Sequence, residues 1–361
     1  MMLSLLPIRE ARPLPSRAYV YGTGDFSQRV VEQLRKFNVE VIGLIDHKRS
    51  MSNQSQLPLH SITSDLLTTE SVILGFHNYL ADIRDISQKL TSIGFKDIWT
   101  APMLARTLDA LGGNLDNYWL TGGTELVYEA ISHAPSIQKR LSDSESVKVL
   151  SDVINYRITG ETHHLNSKQD LVDQYFPKDI AFVREDSMDG LYVDLGAFDG
   201  DTLRGLVKRR LNPRGYIGLE PDPENFSKLV KETSTVDFPC ITLPLAASDQ
   251  TGVQLLSSND SGSAISVDGD LAIQTTSIDS LLHGHKVSIL KLDIEGAEKA
   301  AIQGSAETIQ KWKPALAVSV YHKPQDLWEI LDEVDTLGVY SEFYLRTYGE
   351  QTFDTVLYCL P

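Results

Sequence analysis

The chain has 361 residues, 42% hydrophobic and 23% charged, a composition that excludes disorder for most of it. At roughly 150 residues per domain, its length suggests two packed units able to bury cores without staples. With 49 acidic against 33 basic side chains the net charge is −16, a field that repels phosphate backbones and anionic lipid and makes nucleic acid an unexpected partner.

After a Pro/Arg-rich lead-in, residues 17–21 predict a strand, Gly22-Thr23-Gly24 a tight turn and residues 26–37 an amphipathic helix. A strand over 40–45 closed by Asp46, a buried strand over 71–76, a helix over 83–93 stopped by Gly94 and a short strand over 97–100 complete a small Rossmann-like α/β unit, residues 1–110. Residues 111–185 read as a mainly helical connector. It opens with two Gly-Gly pairs around Asn117-Tyr118-Trp119, is helical from 125 to about 156 with a break at Ala134-Pro135, and is irregular over 160–166. In residues 186–361, strands over 191–195, 216–219, 241–246, 287–292 and 315–320 alternate with helices over 202–211, 225–233, 297–311 and 325–337. A polar insertion over 248–276, with turn signals at Thr251-Gly252, Ser261-Gly262 and Asp268-Gly269, predicts antiparallel hairpins, and 342–346 can pair with 355–358.

Cys240 and Cys359 form neither a disulfide framework nor a CxxC pair. The apolar run over 3–6 is too short for a signal-peptide core, and no stretch reaches the roughly 18 apolar residues of a membrane span. A cytoplasmic protein without membrane insertion is expected.

Alternating βα units predict a parallel sheet with helices on both faces and ligands beyond the carboxyl ends of the strands. There the chain places Asp194-Leu195-Gly196-Ala197-Phe198-Asp199-Gly200-Asp201-Thr202, Glu220-Pro221-Asp222-Pro223, Ala246-Ala247, Asp293-Ile294-Glu295-Gly296 and Tyr321-His322-Lys323-Pro324. The glycines of the first segment let a ligand approach the backbone, with amide N–H groups expected to point outward. Asp194, Asp199 and Asp201 crowd that loop with negative charge and favour a cationic ligand such as a sulfonium over a phosphate. Glu220, at the next strand end, can accept hydrogen bonds from both hydroxyls of a ribose.

These motifs, with Lys291-Leu292-Asp293-Ile294-Glu295-Gly296-Ala297-Glu298 and Tyr321-His322-Lys323-Pro324-Gln325-Asp326-Leu327, resemble the FkbM family of S-adenosylmethionine-dependent methyltransferases from about residue 191 to 358. The resemblance implies a seven-stranded sheet with its last strand antiparallel and O-methyl transfer to a sugar, glycoconjugate precursor or polyketide-like small molecule. S-adenosyl-L-methionine would then meet Asp194, Gly196, Ala197, Asp199, Gly200, Asp201 and Thr202, its ribose Glu220, Pro221 and Asp222, and its adenine Ala246 and Ala247. Position 198 is often asparagine in the family and is Phe198 here, which leaves only a backbone role.

His322 could take the proton of an acceptor hydroxyl as a neutral imidazole, with Asp293 as the second choice and Glu295 beside it; the bland alternative is a packing histidine bonded to Asp326. A metal on Asp293 and Glu295 is disfavoured because no histidine stands at ligand spacing, and His163-His164 and His283-Gly284-His285 lack ligand companions. Arg204, Lys208, Arg209, Arg210 and Arg214 read as a solvated helix face. In the N-terminal unit, Gly22, Gly24 and Asp46 imitate a dinucleotide fingerprint, but Ser27 replaces its third glycine and Asp25 would face the pyrophosphate. The alternatives are therefore an NAD(P)-dependent oxidoreductase or epimerase working through that unit, or a non-catalytic nucleotide-sugar-binding module. Homo-oligomerisation stays open.

Overall fold

The computed structural model describes residues 2–8, 10–46, 57–62, 65–76, 81–115, 123–165, 168–183, 188–259, 262–265 and 271–361. The Asn117-Tyr118-Trp119 junction, Asn166, Ser261 and the Asp268-Gly269 turn lie outside them.

The first unit contains β1 (Arg17–Tyr21), α1 (Asp25–Lys36), β2 (Glu40–Ile45), β3 (Leu59–His60), β4 (Ser71–Leu74), α2 (Ile83–Ser92), β5 (Ile98–Trp99) and α3 (Ala101–Ala110). Its strands are parallel in the order β3-β2-β1-β4-β5, so the strand order, not the chain direction, reverses between β1 and β4. Helix α1 turns Phe26, Val30, Val31 and Leu34 inward, the i, i+4, i+5, i+8 stripe of an amphipathic helix against this sheet.

Two helices follow, α4 (Thr124–Arg140) and α5 (Ser144–Thr159). Helix α4 runs unbroken through Pro135, where a break was expected: Ala130, Ala134 and Ile137 are buried, and their packing outweighs the lost backbone hydrogen bond. Both helices share one core with the C-terminal sheet, through Val127, Ile137, Leu150 and Ile154 against Val193, Leu290 and Val318. On the other face, Tyr175, Phe176, Phe182 and Met188 join Tyr192, Tyr216 and Tyr358. The connector thus packs on both faces of the seven-stranded sheet, beside the second unit's own helices. The lead-in returns here as well: Asn155 on α5 donates to the Ser4 carbonyl and accepts from the Leu6 amide, while Leu3, Leu5 and Ile8 cover the core.

The second unit runs through β6 (Leu191–Leu195), α6 (Asp201–Lys208), β7 (Gly215–Leu219), α7 (Pro223–Glu232), β8 (Cys240–Leu243), β9 (Ala246–Ala247), β10 (Gly252–Asn259), β11 (Gly262–Ile265), β12 (Leu271–Thr276), α8 (Ile278–Leu282), β13 (Val287–Leu292), α9 (Glu298–Gln303), α10 (Ala306–Trp312), β14 (Ala315–Ser319), α11 (Asp326–Thr336), β15 (Glu342–Thr347) and β16 (Thr355–Leu360). Seven strands form one sheet in the order β15-β16-β14-β13-β6-β7-β8, and the last strand, β16, is antiparallel to both neighbours. The polar insertion pairs as antiparallel β10, β11 and β12, with β9 added parallel to β12. The strand expected over 241–246 therefore divides at Pro244, and Ala246 and Ala247 belong to this smaller sheet. The helix expected over 297–311 divides at Gly304, where a Cβ would lie 2.1 Å from the Ser248 carbonyl oxygen.

Candidate active site

The carboxyl ends of β6, β7, β13 and β14 converge on one edge of the sheet, where the motifs were expected to meet. Asp194 and Lys291 are register partners on β6 and β13, so their side chains share a face. Both are essentially inaccessible: Lys291 Nζ lies 2.9 Å from Asp194 Oδ1 and donates to the Gly196 carbonyl at 2.6 Å, while the Tyr216 hydroxyl donates to Asp194 Oδ2 at 2.7 Å. Burial alone would depress the Lys291 pKa, but the charges of Asp194, Asp293 and Asp201 raise it, and the lysine stays charged. Asp194 is thus spent on an internal pair. Asp199 is spent on Arg204, 2.6 Å away, which stays on the solvated face with 44% of its side chain exposed. Of the three aspartates expected to crowd the loop, Asp201, in the first turn of α6, is the exposed one.

The loop amides do not point outward as expected. Gly196 N and Ala197 N both donate to the Leu219 carbonyl, Phe198 N to Glu220 Oε2, and Gly200 N back to Ala197. Sequence cannot show this, because it depends on how far β7 extends beside the loop. Glu220 is 7% exposed and held at both oxygens, by Phe198 N at 2.9 Å and Asp222 N at 2.8 Å. Burial raises its pKa against those two donors, and each oxygen retains a lone pair. Asp222 caps α7 through the Glu224 and Asn225 amides, and Pro221 precedes it; these two position the strand end. Thr202 is buried in the first turn of α6 beyond Gly200, and Ala246 and Ala247 are buried on β9.

The other half of the site is a carboxylate–histidine cluster. Asp293 Oδ2 accepts from Tyr175 at 2.6 Å and Oδ1 from Tyr321 at 3.3 Å. Burial would raise the Asp293 pKa, but Lys291, His322 and the hydroxyls of Tyr175 and Ser319 hold it below the usual carboxylate range. His322 Nε2 faces Asp293 Oδ1 at 3.4 Å and Glu295 Oε2 at 3.5 Å, while Nδ1 lies 2.9 Å from Glu298 Oε1. Burial lowers the imidazole pKa, yet Glu298, Glu295 and Asp293 push it up to about 10, so the neutral imidazole expected as a base is an imidazolium here. Enclosure pushes Glu295 up to about 7 against the pull of His322, although solvent reaches 43% of its side chain and screens part of the effect. Asp326, the expected packing partner of His322, instead accepts from the Lys323 amide at 2.7 Å.

Three contributors escaped the sequence reading. Lys291 carried a signal, two residues before Asp293 on a buried strand and thus on the same face. Glu298 opens α9, where an acidic residue ordinarily reads as a dipole partner. Tyr175 comes from the connector and carried no signal. The histidine that seemed missing beside Asp293 is His322, brought there by the adjacency of β13 and β14. His163 and His164 stand 3.5 and 3.9 Å from Glu161, a companion also unseen.

In the N-terminal unit, the Thr23 hydroxyl donates to Asp46, and the Ser27 hydroxyl donates to the Gly75 carbonyl. The serine in place of the third glycine thus fastens α1 to the end of β4.

Residues 194–347 match the family model described as the Methyltransferase FkbM domain. This segment is an FkbM methyltransferase domain. The chain is also similar to the crystal structure of a methyltransferase FkbM from Methylobacillus flagellatus KT, with a TM-score of 0.75 and 22% identity over 96% of this chain and 90% of that one. At that identity the likeness establishes the shared fold. A putative rRNA-methylase from Clostridium thermocellum (TM-score 0.31, 11% identity, 47% of this chain and 85% of that one) and the CurJ carbon methyltransferase (TM-score 0.30, 12% identity, 64% and 68%) are too distant to carry an argument. No curated protein matches. The FkbM domain holds all the strand-end motifs, and the matched segment begins at Asp194 itself. No helix among the described residues is long and apolar enough to cross a membrane.

Proposed function

We propose that this methyltransferase moves the methyl group of S-adenosyl-L-methionine to a hydroxyl oxygen of a sugar, glycoconjugate precursor or polyketide-like small molecule. One observation carries the reading: Glu220, pinned by two backbone amides at the end of β7, shares a sheet edge with the Asp293, Glu295 and His322 cluster at the ends of β13 and β14. In this reading Glu220 accepts the two ribose hydroxyls, the sulfonium lies toward Gly196, Ala197 and Asp201, and the adenine lies toward Ala246 and Ala247. The acceptor oxygen attacks the methyl carbon, the carbon–sulfur bond breaks, S-adenosylhomocysteine leaves, and the hydroxyl proton passes to a base. Both nitrogens of His322 face carboxylates and carry protons in that arrangement, so the base is Glu295, open at the rim, while His322 orients it.

Parallel calorimetric titration with S-adenosylmethionine and NAD, then a screen of hydroxylated acceptors for methyl incorporation, tests the proposal. Binding of NAD alone would overturn it in favour of the oxidoreductase alternative. Against that alternative, Thr23 already engages Asp46, and Ser27 closes the gap between α1 and β4.

A further inference from the structure

Asp293, Glu298 and His322 come from the end of β13, the start of α9 and the end of β14, and each offers a ligand atom within 4.8 Å of the other two. Glu298 is fully buried and the His322 side chain is only 6% exposed. Glu298 Oε2 and both ring nitrogens of His322 nevertheless make no hydrogen bond, although Nε2 faces Asp293 and Nδ1 faces Glu298. A buried polar atom without a partner is costly, and so is a group of carboxylates sharing one buried imidazole. The Nε2 to Asp293 Oδ1 separation is 3.4 Å. Two atoms each roughly 2.1 Å from one ion, at a tetrahedral angle, stand about 3.4 Å apart. At the other nitrogen, Glu298 Oε1 lies 2.9 Å away, near enough for a small turn of the ring to give the carboxylate bond that orients a metal-bound histidine.

We propose that this cluster is a divalent-cation site, with Asp293 and the Nε2 nitrogen of His322 as ligands and Glu298 fixing the imidazole from Nδ1. One imidazole beside carboxylates suits Mn2+ or Zn2+, which bind nitrogen and oxygen together, better than Ca2+. The ion replaces the proton on Nε2 and offers its remaining positions to water and to an acceptor oxygen, whose deprotonation it favours. That catalytic role rests on the hydroxyl-methylation reading above; the binding site does not.

The test uses the full chain, stripped with chelator and titrated with Mn2+ alone. Expected are about one tightly held Mn2+ per chain and nitrogen modulation from one histidine in pulsed paramagnetic resonance. His322→Gln abolishes the modulation, and Glu298→Gln weakens binding by about 10–100-fold. Replacing His163 and His164 together with alanine leaves both signals intact, which separates this site from the Glu161 cluster. Absence of bound Mn2+ at about 1 mM, or of nitrogen modulation in the parent, overturns the site even if neither variant folds. Survival of the modulation in a folded His322→Gln variant overturns it as well. S-adenosylmethionine titration of the metal-free protein reports separately on the methyl-transfer reading.

Discussion

Gly196 and Asp293 meet backbone to backbone: a Cβ on Gly196 would stand 1.8 Å from the Asp293 carbonyl oxygen, and the glycine has φ +75°. The close approach brings the ends of β6 and β13 together and so draws the cofactor loop up to the carboxylate cluster. Gly196→Ala is expected to cost more than about 3 kcal/mol or to prevent folding. Gly338, at φ +68° with nothing within 4 Å of its Cβ position, supplies the control. Gly338→Ala should lose only about 1–2 kcal/mol, the cost of the left-handed conformation alone. Thermal melts of the two variants separate collision from backbone strain, and similar losses would refute the collision.

Glu220→Ala should weaken S-adenosylmethionine binding tenfold or more, since two charge-assisted hydrogen bonds at roughly 1.5–3 kcal/mol each are lost. Calorimetry on the folded variant decides it; unchanged affinity would remove the ribose assignment.

Lys291→Met leaves Asp194 charged and buried without its cation, which should cost about 3–5 kcal/mol in urea unfolding. Adding Asp194→Asn to that variant should recover a large part of the loss. If the double variant is no more stable than the single, the pair is not the source of the effect.

Acid sensitivity should trace in part to Asp143. Burial would raise its pKa, but hydrogen bonds from Arg346 and Ser146 hold it below the usual carboxylate value. A depressed folded pKa contributes stability that is present above about 3.8, the unfolded value, and is lost as pH falls through the folded one. The stability difference between the parent and Asp143→Asn should therefore shrink from about pH 5 to about pH 3. A constant difference across that range would show that the Arg346 pairing does not contribute.

Phe198 adopts φ +46° with 51% of its surface exposed, a conformation that asparagine tolerates far better than a bulky aromatic. Phe198→Asn is expected to raise stability by about 1 kcal/mol while keeping the amide bond to Glu220. A lowered melting temperature would mean that the ring makes contacts worth more than the relieved strain.

The βα alternation, the antiparallel closing pair and the strand-end motifs were legible because strands buried on both faces read as apolar runs ending in polar residues. Glu220, Asp293, Glu295 and His322 were singled out for that reason, and the fold gathers them on one sheet edge. What escaped depended on partners distant in sequence: Lys291 opposite Asp194 needs the register of β6 with β13, and Tyr175 needs the fold of the connector. The same blindness made His322 look neutral, because Glu298 and Glu295 reach it only after α9 and the preceding turn have folded back over β14. The unbroken α4 shows the converse, local propensity at Pro135 yielding to tertiary packing.

Strand β16 (Thr355–Leu360) lies between β14 and β15, so β15 pairs into the large sheet through a strand that follows it in the chain. On the ribosome, at roughly 5–20 residues per second, β14 (Ala315–Ser319) must wait with an open edge until Thr355–Leu360 has been made and has left the exit tunnel. The N-terminal unit can close much earlier, as its five strands are complete by Trp99. Synthesis therefore presents the cell with a finished module tethered to an incomplete one, and the window for misassociation falls late. Without the pairing of β16, the molecule should still bury its N-terminal core but offer β14 to any passing strand.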